Sequence, residues 1–142
     1  MFRFNLKINL KDTRKDVHKP KAGHCTNMAI RDLSYNAGWR VEKHIRFMAD
    51  IRNTGRLGAD IVGFGDVGVI VSLNNGTGSF AHAKLAVADF GYKTGGWRID
   101  KHLRFLGDVY GTGLLDIIGF GEFNVLIGEK MGMGPSSLVK QS

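Results

Sequence analysis

The sequence predicts an all-β fold built from two tandem units of four short antiparallel strands, and three observations carry that prediction. "GWRVEKHIRFMAD" at 38–50 recurs as "GWRIDKHLRFLGD" at 96–108, with eight of thirteen positions identical and the other five conservative. Apolar residues alternate or run in short stretches, as in "DVGVIVSLNNGTGSF", and no long segment places them at helical spacing. Glycine accounts for 20 of 142 residues beside only two prolines. That is about twice the usual ~7% for glycine, and with so little proline it marks turns and not a disordered tract.

Residues 1–28 match neither copy. Within them "FRFNLKINLK" alternates, with Phe2, Phe4, Leu6, Ile8 and Leu10 on one face and Arg3, Asn5, Lys7, Asn9 and Lys11 on the other. This is a strand pattern suited to pairing with an exposed sheet edge. The polar stretch that follows, "DTRKDVHKPKAGHCTN", reads as a loop or linker.

The repeat region occupies 29–142, with the first unit at about 38–90 and the second at about 96–140. In the first unit the strands are expected at 46–51, 59–64, 67–73 and 84–88. In the second they are expected at 104–109, 115–120, 123–127 and 137–140. The turn signals "NNGTG", "GFGD" and "YGTG" separate them. Trp39 and Trp97, His44 and His102, and Asp50 and Asp108 all keep an offset of 58. "DIVGFG" at 60–65 then answers "DIIGFG" at 116–121 with an offset of 56, so the first copy holds two extra residues in the intervening loop. Upstream, Asp32 faces Asp89 and Tyr35 faces Tyr92. Four strands in each repeat of this length is the pattern of a β-propeller blade, whose faces bury against neighbouring blades. Two blades plus the last strand of a preceding one make a partial propeller, or one part of an oligomeric ring, because repeat units are marginal without neighbours.

Composition excludes several function classes. The formal charge of +7 is concentrated in residues 1–28, where seven Lys/Arg face two Asp for a net +5, while the rest carries 13 against 11 for a net +2. Phosphate binding normally needs a clustered basic face, so the near-neutral repeat region is not expected to bind nucleic acid. Only the basic leader offers a tether to an anionic surface. No apolar run reaches the ~18 residues of a membrane span, and no signal segment opens the chain. The expectation is a soluble protein, cytoplasmic or non-classically secreted. The single Cys25 excludes an intrachain disulfide, and with His18 and His24 it makes a poor metal set.

The unit as a whole, with Gly-Trp-Arg, His-x-Arg-Phe, Asp-Ile-Val-Gly-Phe-Gly and Asn-Asn-Gly-x-Gly in order, resembles the repeats of FG-GAP/VCBS-type β-propellers. Among these it is most similar to the Psathyrella velutina lectin family of sugar-binding propellers, over about 29–134. That resemblance implies pockets between consecutive blades for N-acetylglucosamine, sialic acid or related sugars, and it implies binding without catalysis.

Sugar pockets need a flat aromatic surface and a few fixed polar groups. Trp39, Trp97 and Tyr92 are candidates for the first, and His44, Arg46, His102 and Arg104 for the second. In an extended "HIRFMAD", His44, Arg46, Met48 and Asp50 share one side while Ile45, Phe47 and Ala49 take the other. The competing reading is structural: the tryptophans pack between blades, and His, Arg and Asp form a repeated network that holds the turn. The loop "DVYGTGLLD", 108–116, resembles the calcium loop of FG-GAP repeats. Asp108, Thr112 and Asp116 are its candidate Ca2+ ligands, although Tyr110 stands where an acid or amide is expected and Ca2+ needs six to eight oxygens. No cofactor is required by this reading. The chain carries no Ser-His-Asp elbow, no Cys–His pair in a catalytic context and no Walker-type loop, so it is not expected to be an enzyme. The expected function is lectin-like recognition of glycans or glycoproteins, with self-association through blade edges. The alternative is a structural or protein-interaction partial propeller that binds no sugar.

Overall fold

The computed structural model describes residues 28–128, and within them every regular element but one short turn is a strand. A 3-10 turn, Tyr35–Ala37, precedes β1 (Ile45–Ala49), β2 (Asp60–Phe64), β3 (Val69–Ser72), β4 (Lys84–Val87), β5 (Arg104–Gly107), β6 (Asp116–Phe120) and β7 (Val125–Gly128). The first four form one antiparallel sheet in the order β1-β2-β3-β4, and the last three form a second in the order β5-β6-β7. Seven of the eight strands expected in the repeats are thus present. The eighth, at 137–140, and the expected leader strand at 2–10 lie outside the described residues.

The repeat is visible in the pairing itself. Arg46 lies opposite Gly63 in the first sheet and Arg104 opposite Gly119 in the second, while Phe47 faces Val62 as Phe105 faces Ile118. Because successive side chains alternate between faces, one register puts Phe47, Val62, Phe64, Val69 and Val71 on a single side. That side is the core. Val62, Phe64 and Val69 are fully buried and pack with Val71, Ile51, Phe90, Trp97 and Ile117, so the hydrophobic cluster runs from the first sheet into the second. Burial of side chains of this size contributes about 1.5–3 kcal/mol each relative to exposure, which makes this seam the main source of stability.

Each loop between strands has a local cause. Asp50 accepts the backbone N–H groups of Thr54 and Gly55 at 3.0 and 2.8 Å, and Asp108 accepts those of Thr112 and Gly113 at 2.9 and 2.8 Å. The aspartates that end β1 and β5 therefore fold the following loop onto themselves, as Asp side chains do in turns. Asp60, at the start of β2, is fully buried and is satisfied by Arg52 at 2.7 Å and by the Asn74 N–H at 2.8 Å. A turn closed by the Gly65 N–H on the Gly68 carbonyl at 2.8 Å leads into β3, and its counterpart from Gly121 to Asn124 at 2.8 Å leads into β7, so both strands begin two residues later than the alternation predicts.

Candidate functional site

The repeated Gly-Trp-Arg and His-x-Arg segment builds the same hydrogen-bonded frame twice. Arg40 donates to the carbonyls of Tyr35 and Trp39 at 2.8 and 2.9 Å, and Arg98 donates to those of Tyr92 and Trp97 at 2.7 and 3.0 Å. Each of these guanidinium groups also lies 3.8 Å from the centre of the tyrosine ring it belongs to, Tyr35 or Tyr92. The Arg40 N–H donates to His44 Nδ1 at 3.0 Å, and the Arg98 N–H to His102 Nδ1 at 3.0 Å. An Nδ1 that accepts must be unprotonated, so in both copies the proton sits on Nε2. The imidazoles meet Trp39 and Trp97 edge-on, with centroids 5.2 and 5.5 Å apart.

This frame decides what the sequence-selected residues touch. Trp39 and Trp97 are buried, and each lies over a glycine of the paired "GFG", Gly63 or Gly119, leaving no room for a side chain there. Arg46 donates to the Leu33 carbonyl at 2.8 Å, and Arg104 to the Phe90 carbonyl at 2.8 Å, so both tie their strands to the loop that enters the repeat. Arg104 is 4% exposed, sandwiched 5.3 Å from the Phe64 ring and 5.9 Å from that of Trp97, with Nε and Nη2 lacking partners. Burial lowers its pKa to about 10. Tyr92 lies between Arg98 and Lys43, whose ammonium is 5.1 Å from the ring centre. Trp97 and His102 are the two of these seven residues that line the groove beside Glu122.

The two copies diverge at the acid that follows "GFG". In the first, His44 Nε2 donates to Asp66 at 2.9 Å, Lys93 reaches the same carboxylate at 2.8 Å, and the N–H groups of Lys93 and Thr94 donate to the Asp66 carbonyl at 2.9 and 3.1 Å. Hydrogen bonds from Lys93 and then His44 hold the Asp66 carboxyl below the usual range. In the second copy Glu122 replaces it. His102 Nε2 lies 3.9 Å from Glu122, beyond hydrogen-bond reach, so the proton it carries is not committed to that carboxylate.

Around this point lies a groove of about 320 Å3, lined by Asp89, Gly95, Gly96, Trp97, His102, Gly121, Glu122, Phe123, Asn124 and Leu126. It offers two carboxylates, the His102 N–H, the Asn124 amide and one flat hydrophobic side chain, Phe123, which is 95% exposed. The repeated sequence pattern does not single out Asp89, Glu122, Phe123 or Asn124 as site residues. Asp89 and Glu122 left a signal there, since each has an acidic counterpart in the first copy, Asp32 and Asp66.

The residues proposed for calcium fit a turn better than an ion cage. Both oxygens of Asp108 are taken by the loop amides described above, and Asp116, fully buried, accepts the Val109 N–H at 3.1 Å. Among the described residues no three His, Cys, Asp or Glu side chains are grouped to hold a metal ion. Nor is any helix among them long and apolar enough to cross a membrane.

No protein-family model matches the chain, and neither does any curated protein sequence. A solved structure does: an Agrocybe aegerita lectin, described for its specific recognition of non-reducing terminal N-acetylglucosamine, superposes with a TM-score of 0.71 at 53% identity. The match takes in 81% of this chain and 30% of the lectin's. By fold and by sequence, then, the chain is similar to about a third of a lectin.

Proposed function

We propose that this chain is a glycan-binding module that takes terminal N-acetylglucosamine in the groove beside Trp97 and His102, without chemistry. The observation that carries this reading is the 53% identity to a lectin of that specificity over four-fifths of the chain. The groove has chemistry suited to such a ligand. Sugar hydroxyls donate well to carboxylates, here Asp89 and Glu122, and an acetamide carbonyl accepts from a fixed N–H such as that of His102. The apolar face of a pyranose needs a flat partner, and Phe123 is the exposed ring at the rim. Buried Trp97 shapes the floor, and Arg104, opposite Gly119, holds the strand beneath it. Glycans or glycoproteins are the corresponding partners, and several weak sites in an assembly add avidity.

Titration calorimetry with N-acetylglucosamine, paired with displacement from a glycan surface, tests the assignment. Wild-type protein is expected to bind and to be displaced by millimolar free sugar. Phe123→Ala and Asn124→Ala change exposed side chains and leave the fold intact. Each is expected to weaken binding roughly three- to tenfold, the effect of losing one ring contact or one hydrogen bond. Absence of displacement from folded wild-type protein refutes the assignment.

A further inference from the structure

The second sheet leaves bare the face that the first sheet buries. Phe64, Val69 and Val71 are 0–2% exposed beneath Phe90, Trp97 and Ile117. Their counterparts Phe120, Val125 and Ile127 are 43%, 55% and 43% exposed, and Phe105 on the same face is 50% exposed. A contiguous set of large apolar side chains this open is unusual on a surface that stays in water.

The opposite end of the molecule shows the matching deficit. The surface of the second repeat that seals the seam includes Ile117 at 0% and Arg104 at 4% exposed. The same surface of the first repeat carries Ile61 and Arg46, both half-buried, and Met48, which is 53% exposed. Among the described residues, then, both halves of the interface formed once between the repeats recur as surfaces that no other described element covers.

We propose that a second copy of this chain docks on the open face of β5-β6-β7 with the Arg46, Met48 and Ile61 face of its own first sheet, reproducing the internal seam between molecules. The contact joins unlike surfaces, so each copy leaves one face free for the next, and the series closes when the rotation returns to its start. Propellers close at roughly four to eight blades, which is about two to four copies of a two-repeat chain. Docking by faces replaces the edge-to-edge association expected from the sequence.

The arriving copy also adds a wall to the groove. Inside one chain, the N–H of Tyr92 donates to the Gly65 carbonyl at 2.9 Å, and Lys93 reaches Asp66. The equivalent loop of the second copy places Tyr35 and Asn36 against Gly121 and Glu122. Asn36 stands where the internal seam has Lys93, so no lysine neutralises Glu122 and its carboxylate stays free for a ligand.

The test uses the full 142-residue chain, without sugar, so its result is independent of the glycan reading. Native mass spectrometry and light scattering at tens of micromolar are expected to give one discrete species of about two to four chain masses. Phe120→Asp blocks one face and Met48→Asp the other, and each alone is expected to be monomeric, with Val125→Asp as a second block of the first face. Mixed in equal amounts, the Phe120 and Met48 variants are expected to form a one-to-one dimer, because each retains the face the other has lost. Circular dichroism and emission from the buried Trp39 and Trp97 report that the variants remain folded. A monomeric wild type, as when the chain's own outer segments cover the face, overturns the proposal. Folded variants that keep the wild-type mass, or that fail to combine when mixed, overturn it too.

Discussion

Replacing Gly119 by alanine isolates the contact that fixes the floor of the groove. A Cβ at this position would lie 2.8 Å from Phe90 Cε1 and Trp97 Cζ3, and nearer still to Trp97 Cη2. Real Cβ atoms do not approach carbon so closely, and neither ring is free to give way, because Phe90 and Trp97 stack 5.0 Å apart and are 3–4% exposed. Overpacking of this kind costs about 1–3 kcal/mol. At about 4–8 °C for each kcal/mol in a domain near 100 residues, the expected loss is roughly 4–24 °C in Tm. The repeat supplies a control, since Gly107→Ala installs the residue that the first copy already carries as Ala49, where a Cβ meets only Ile118 Cδ1 at 3.3 Å. That change is expected to be neutral, or stabilising by about 0.4–1 kcal/mol through the unfolded chain. Differential scanning calorimetry of both variants makes the comparison. Adding Trp97→Phe to Gly119→Ala, which removes the outer indole carbons, is expected to cost less than Trp97→Phe costs alone. Equal Tm values for the two alanine variants would refute the packing argument.

Further consequences concern the charged groups. Arg104 has a folded pKa lowered to about 10 by burial, so the unfolded chain holds that proton more tightly. Its contribution to stability is therefore unfavourable below pH 10 and is relieved as pH rises above it. The stability difference between wild type and Arg104→Met, followed by denaturant melts, is expected to shift toward wild type above about pH 10; a pH-independent difference argues against a desolvated guanidinium. Asp66 has the opposite sign. Its carboxyl is depressed by Lys93 and His44, so the stability it provides is present at neutral pH and lost as pH falls through its folded value. Asp66→Asn is expected to flatten the acid limb of the Tm–pH profile, and an acid limb of unchanged slope would argue against the contact with Lys93 and His44.

The strands were legible because glycine, asparagine and aspartate punctuate short alternating runs, and every strand among 28–128 falls within two residues of its expected start. The two-residue displacement is shared by β3 and β7 and has a shared cause, the turn closed by Gly65 N–H on the Gly68 carbonyl and by Gly121 N–H on the Asn124 carbonyl, which alternation does not register. The site was less legible. Trp39, Trp97, Arg46 and Arg104 stand out in the sequence because they recur, but recurrence marks whatever both repeats need, and both need the same packing over glycine and the same clamp on the entering loop. Trp97, His102 and Gly121 of the groove recur in both copies, but its exposed rim is where the copies differ. Glu122 for Asp66 and Phe123 for Val67 break the repeat, and a search for identity passes over them. Spacing could not reveal that Lys93, in the loop that enters the second repeat, closes the first copy's acid, because that contact crosses between units.

The unequal cover on the two sheets also grades the motion of the molecule. Amide exchange should be slowest along β2 and β3, where Val62, Phe64 and Val69 are fully buried, and fastest along β7, where three consecutive apolar residues face water. Glu122, Phe123 and Asn124 sit on the turn that leads into β7, so the groove's rim belongs to the part of the chain that opens at least cost. Whatever settles on that sheet therefore removes freedom from the rim beforehand, and a ligand arriving later loses less entropy on binding.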